Sequence, residues 1–275
     1  MKRVVAACAI LILITIISAM SVGWLLAHPV QTKIGNPPAD LNAESVVFAS
    51  ASGATVHGWW CPNQNAKGAV LLLPGIRANR LSMVERARFL SRAGYSILLI
   101  DFQATGETTG DHITFGWKES RDVLAAVDFV RKTDSTTPVA IVGSSLGGAA
   151  ALLATPPLRI DALILEEVYP TIEIATRNRL ENYVGVFGRA LTPVLLSQLQ
   201  WRLGVSPSDL RPVDHMENVD CPIFIISGEK DTNTRPIDTR MLVERGEIQK
   251  KFGSCQMLRT STCIAQRDAS TKRES

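Results

Sequence analysis

The chain has 275 residues, 46% of them hydrophobic and 20% charged, with 14 prolines and 19 glycines. That is enough for one large domain with a full core and too short for two comfortable ones. The formal net charge is +3, and the six basic and three acidic residues after Gly246 supply all of it, so nothing points to nucleic acid or an acidic polymer as partner. There is no internal repeat.

The N-terminus reads as a membrane segment. Lys2 and Arg3 precede 24 residues without a charge, Val4 to Ala27. As a helix rising about 1.5 Å per residue, residues 4–27 would span a hydrocarbon core of about 30 Å. An uncleaved signal-anchor over residues 1–28 is the expectation. The Lys2-Arg3 charge would then hold the N-terminus in the cytoplasm and place the rest, single-pass, on the extracytoplasmic side. A cleaved signal, with Ala19 or Ala27 as boundary, and a buried soluble helix are the alternatives. Residues 29–44, with Pro37-Pro38, read as a linker.

Strand and helix signals then alternate. Residues 45–49 and 54–60 suggest a hairpin around Ser52-Gly53. Continuous apolar runs at 69–73, 96–100, 138–142, 162–165 and 223–227 suit strands buried on both faces. Helical spacing appears at 80–93, 117–132, 146–154 and 235–245. This is an α/β pattern: a mostly parallel sheet covered by helices on both faces, its site at the carboxyl ends of the strands. Residues 170–214 break the rhythm with helical character and no strand. Tyr183, Phe187, Leu191, Leu195, Leu199 and Trp201 offer an apolar face there, and the length suggests a cap over the strand ends; a plain crossover helix is the alternative. The five cysteines show no metal-ligand spacing, and their odd number argues against a disulfide framework. Cys61 and Cys221 fall in different strands by this reading. No metal and no organic cofactor are implied.

The sharpest motif is Gly143-Ser144-Ser145-Leu146-Gly147, between a buried strand and a helix. That context is what a nucleophile elbow demands, a serine on a strained turn flanked by small residues. Ser145 is the candidate nucleophile, and Ser144 sits at the variable position. One oxyanion donor would be the backbone N–H of Leu146. The other would come from the loop after the first central strand, residues 73–80, where Gly75 allows a close turn and Ile76 carries the N–H.

These residues resemble the α/β-hydrolase superfamily, nearest to the serine-aminopeptidase-like and Bem46-like hydrolases. Asp101-Phe102-Gln103-Ala104-Thr105-Gly106-Glu107-Thr108 is similar to the family's D-x-R-G-x-G-x-S loop, with Ala104 for Gly and Thr108 for Ser. Gly110, Thr114, Gly116, Glu119 and Asp122 match the pattern before the next helix. Pro74 stands where many members have His. Ser227-Gly228-Glu229-Lys230-Asp231 resembles the loop that carries the catalytic acid. The resemblance covers residues 45–245. It implies an α/β-hydrolase domain over 45–249, and Asp231 as the triad acid that orients a histidine, with Glu166 and Glu167 as alternatives.

The histidine itself is missing. It should follow the acid, and no histidine occurs after His215; the others are His28, His57 and His112. Residues 252–275 look aberrant, rich in Cys, Thr, Ser and Arg. Residues 250–265, read from the third base of each codon, permit E-V-W-V-V-P-N-A-A-H-V-D-L-Y-R. That string is a strand, a turn and a segment similar to the family's histidine loop, with the histidine across the codons of Arg259 and Thr260. A frameshift near residues 246–251 would have removed the last strand, the histidine and the final helix; a genuine divergent tail is the alternative. Two functions are therefore expected. One is a serine hydrolase acting on an ester, thioester or amide of a small acyl or peptide substrate. The other is an inactive membrane-tethered pseudo-hydrolase or truncated product.

Overall fold

The computed structural model describes residues 2–249 and 255–260; the side chains at 7, 8, 11, 12, 247–249 and 255–260 lie outside that description. The chain opens with helix α1 (Lys2–Ala27), followed by the short strand β1 (Val30–Gln31). Then come β2 (Glu44–Ala49), β3 (Thr55–Cys61), β4 (Ala69–Leu73), a 3-10 turn at Arg80–Met83, α2 (Val84–Arg92) and β5 (Ser96–Ile100). Next are β6 (Thr105–Gly106), α3 (Glu119–Thr133), β7 (Val139–Ser144), α4 (Leu146–Leu152) and β8 (Ala162–Glu166). The cap helices α5 (Ile172–Val184) and α6 (Gly188–Leu203) precede β9 (Ile223–Gly228), α7 (Pro236–Gln249) and β10 (Cys255–Thr260).

Eight strands form one sheet in the order β10-β9-β8-β7-β4-β5-β3-β2. Neighbours from β10 to β5 are parallel, and β3 runs antiparallel to both β5 and β2. Every residue of β4 and β5 is buried, which is why both read as unbroken apolar runs. One core layer joins Leu71, Leu73, Leu98 and Ile100 to α3 and α4 through Val123, Val127 and Ala149. The other joins Leu72, Ile97 and Leu99 to α2 through Met83, Val84 and Ala87. The carboxyl ends of β4, β7 and β8 meet in mid-sheet, below the cap. Cys61 ends β3 and Cys221 precedes β9 rather than lying in it; both are buried, and burial pushes the Cys61 thiol up to about 12.

Three expectations are corrected. First, among the described residues no helix is long and apolar enough to cross a membrane. Helix α1 is exposed at every described side chain from Lys2 to Ser18, but Ala19 and Ala27 are buried. Beyond Arg3, the part standing clear is residues 4–18, about 22 Å long against a hydrocarbon core of about 30 Å. The remainder docks on α6, where Gln198 Nε2 donates to the Ala19 carbonyl at 3.0 Å and Arg202 Nη2 to that of Met20 at 3.1 Å. The segment expected to span as residues 4–27 is thus partly an element of the hydrolase domain.

Second, the last strand is present. Residues 255–260 pair in parallel with β9, Cys255 opposite Ile223 and Thr260 opposite Gly228. The open edge of β9 offers a row of backbone donors and acceptors that does not depend on side-chain pattern, so a segment without an apolar run can still pair there. The expected loss of the final helix falls on residues outside the description.

Third, the cap is helical as expected, but its apolar residues do not form one inward face. Leu199 is buried, whereas Tyr183 is 85% and Phe187 74% exposed at the α5–α6 turn, and Trp201 is exposed as well. The 3-10 turn Gly185–Phe187 separates two helices, so one periodicity cannot describe both.

Candidate active site

Strand β7 ends and α4 begins with one residue between them. Ser145 makes that turn at φ 47° and ψ −108°, a backbone conformation that L-residues rarely adopt. The flanking glycines are required by space. A Cβ on Gly143 would sit 2.5 Å from the Gly148 Cα, and one on Gly147 would sit 2.5 Å from the Leu73 carbonyl oxygen. The Ser145 N–H donates to the Glu166 carbonyl at 2.8 Å, which ties the elbow to β8. Leu146 is the first residue of α4, so its N–H belongs to the first-turn donors without an intrahelical acceptor.

The loop after β4 closes on this elbow. A Cβ on Gly75 would lie 3.8 Å from the Ser145 Cβ. Ile76 lines the same cavity as Ser145 and Leu146. The structure thus gathers three of the sequence-selected residues, Ser145, Leu146 and Ile76, in one place. The cavity measures about 250 Å³ and its walls are mainly apolar, including Val22, Leu26, Phe115, Tyr169, Ile172 and Leu195. Arg77 and Arg179 are the charged residues along it. The Tyr169 hydroxyl donates to the Phe115 carbonyl at 3.0 Å, and burial pushes its ionisation up, so it is a structural donor rather than a base.

Asp231 stands elsewhere. It lies in the loop past β9, where its Oδ1 accepts from the N–H of Asn233 at 2.7 Å and of Thr234 at 3.0 Å, shaping the turn into α7. It does not line the Ser145 cavity. Of the alternative acids, Glu166 is paired with Arg86 at 2.6 Å. Glu167 adopts φ 53°, and both it and Asp231 approach Gly228: a Cβ there would be 3.2 Å from Glu167 Oε1 and 3.6 Å from the Asp231 Cβ. An acid at this edge would need an imidazole to reach Ser145. No histidine among the described residues lines the cavity. His28 packs on Trp24, with ring centroids 4.4 Å apart; His57 lies in β3 opposite Val47; the His112 carbonyl accepts from Gln103; His215 lies in the 3-10 segment Pro212–Asn218. Among the described residues no cluster of His, Cys, Asp or Glu is arranged to hold a metal.

The loop carrying Asp101 packs against the end of the segment after β4 through Arg80. Asp101 is fully buried, pairs with the Arg80 guanidinium, and accepts from the N–H of Arg80 at 2.8 Å and of Glu107 at 2.9 Å. Arg80 also pairs with Glu107 and lies 4.8 Å from the Trp59 ring centre. Burial pushes the Asp101 carboxyl up, against the N–H and charge of Arg80. Burial opposes ionisation of Glu107 too, but the N–H groups of Gly35 and Ile34 and the Arg80 guanidinium hold its carboxyl down to about 2. Glu119 is buried and accepts from Thr114, Gly116 and Gln103, which fixes the entry to α3. The matched loop residues therefore brace the site rather than face it. Sequence reasoning missed Arg77, Phe115, Tyr169 and the end of α1 as parts of the cavity. Only their place in the fold brings them there, and no motif marks them.

A buried parallel sheet, a serine on a strained strand-to-helix turn and a loop folded against it define an α/β-hydrolase architecture. The chain belongs to the alpha/beta hydrolase family, whose model matches residues 70–252. It is 28% identical over 134 residues to the uncharacterized protein YfhR of Salmonella typhimurium, covering 46% of this chain and 44% of that one. It is 26% identical over 182 residues to protein bem46 of Schizosaccharomyces pombe, covering 64% of this chain and 56% of that one. The chain thus spans about half the length of these relatives. Among solved structures, the Pyrococcus furiosus esterase Pf2001 shares the fold with a TM-score of 0.69 at 19% identity, over 84% of this chain and 88% of that one.

Proposed function

We propose that this chain carries the acyl-transfer site of a serine hydrolase with Ser145 as nucleophile. The observation that carries the reading is the placement of Ser145 at a strained elbow, in an apolar cavity shared with Leu146 and Ile76. In the reaction, Ser145 Oγ attacks the carbonyl carbon of an ester, thioester or amide, and a base takes the hydroxyl proton. The N–H groups of Leu146 and Ile76 receive the developing oxyanion, and the leaving group departs with the proton. Asp231 would hold the base in orientation. The apolar walls favour an ester of an apolar acyl group over a peptide.

One observation favours a second reading, an inactive pseudo-hydrolase, for the chain as written: no histidine among the described residues lines the cavity. Without a base the hydroxyl stays protonated, and loss of a triad member costs several orders of magnitude in rate. We therefore propose that the base belongs to the shifted reading frame near residues 246–251. The family match ending at residue 252 supports this. Sequencing the coding DNA tests it, and a frame without the V-V-P-x-A-A-H string would refute it.

The exposed apolar side chains over residues 4–18 and the cap tip at Tyr183 and Phe187 support attachment to a lipid surface. Membrane fractionation tests this: release by carbonate but not by salt is expected, and recovery in the soluble fraction before any extraction would contradict it.

A further inference from the structure

We propose that the C-terminal end of α1 is a permanent wall of the acyl cavity, and that Val22 and Leu26 set the length of the chain it accepts. The inference rests on the reading of the cavity around Ser145 as the substrate site. Both side chains line that cavity together with Ser145, although they lie more than a hundred residues away in sequence.

The helix end is held from three directions, as a built-in element would be. From the cap, the buried Gln198 and the half-buried Arg202 donate to the carbonyls of Ala19 and Met20. Gly23 lets α1 approach this closely, because a Cβ there would meet Gln198 Oε1 at 2.4 Å. From the loop before α3, the Ile113 N–H donates to the Ala27 carbonyl at 2.9 Å. From the oxyanion loop, Arg77 Nη1 donates to the carbonyls of Leu25 at 2.6 Å and His28 at 3.3 Å. Arg77 follows Ile76 directly and adopts φ 59°, so the side chain that satisfies the end of α1 springs from the same turn as the oxyanion donor. Beyond the helix, Val30 and Thr32 donate to the carbonyls of Ala104 and Gly106 at 2.8 Å each and continue the attachment. Cleavage at Ala27 would open the cavity wall and strand the buried Gln198 side chain, so the helix end is retained in the working protein.

Binding of octanoate to the Ser145→Ala protein tests this without any catalytic step. Leu26→Trp should weaken octanoate binding about tenfold, the equivalent of about two methylenes kept from burial. Leu26→Ala should widen the cavity and move the preference from octanoate to decanoate. Leu25→Trp, on an exposed side chain of the same turn, should change neither. Equal octanoate affinity in the parent, Leu26→Trp and Leu26→Ala proteins, or no binding by the parent, would overturn the proposal. Should Leu26→Trp fail to fold, Leu26→Ala decides. If the length preference shifts while fluorophosphonate fails to label Ser145 even with the histidine-bearing frame restored, the wall stands and the acyl-transfer reading fails instead.

Discussion

Single residues carry the site's geometry through burial and close approach. Arg80 is the clearest case. It neutralises Asp101 and Glu107 under the oxyanion loop while almost wholly buried. Arg80→Met leaves the Asp101 carboxylate buried without its cation, and should cost about 3–5 kcal/mol of stability by denaturant titration. Gly147→Ala should also destabilise, by roughly 1–3 kcal/mol, since its Cβ would press on the Leu73 carbonyl, part of a strand that cannot move away. Asp122 gives a pH signature. Burial pushes its carboxyl up from 3.8 to about 6, against hydrogen bonds from Ser50, Ser52 and the Gln103 N–H. Between those values the unfolded chain ionises this group before the folded protein does. Stability from Asp122 therefore falls as pH rises through that window and is level above it. Asp122→Asn should flatten the slope in unfolding curves taken across the window, and an unchanged slope would assign it to another group. Glu107, held down to about 2, works the other way and loses its contribution as pH falls below 4.5.

At the scale of elements, legibility followed how much of each signal is local. The central strands β4, β5 and β7 were readable because burial on both faces forces an unbroken apolar run. The elbow was readable because its glycines answer to contacts within a few residues and one neighbouring strand. The cap was readable as helical, but not in its orientation, which depends on the partner each helix meets. Helix α1 was misread for a physical reason: an apolar helix that faces lipid and one that docks on protein share a composition. What separates them is the pair of cap donors, Gln198 and Arg202, far away in sequence. Strand β10 was missed because its pairing is a backbone matter at the edge of the sheet. The docking of α1 makes a prediction at this scale. Gln198→Ala removes one donor to α1, worth about 1 kcal/mol. Amide exchange over residues 19–27 should quicken by roughly fivefold, with β4 and β7 unchanged. Equal quickening across the sheet would instead indicate global destabilisation.

For the whole molecule, the sheet, cap and N-terminal helix converge on one cavity, and Ser145, Leu146 and Ile76 line it together. What the cavity lacks among the described residues is a base. Asp231 holds a turn after the end of β9, outside the lining of the Ser145 cavity. Among the described residues no histidine or carboxylate lines the Ser145 cavity, and we propose that Ser145 becomes a working nucleophile when the histidine-bearing frame is read on from near residues 246–251. Fluorophosphonate labelling, with Ser145→Ala as control, is the decisive measurement. Slow or no labelling of the chain as written and rapid labelling of Ser145 once that frame is restored are expected. Rapid labelling of Ser145 in the chain as written, or none after restoration in a folded protein, would contradict it.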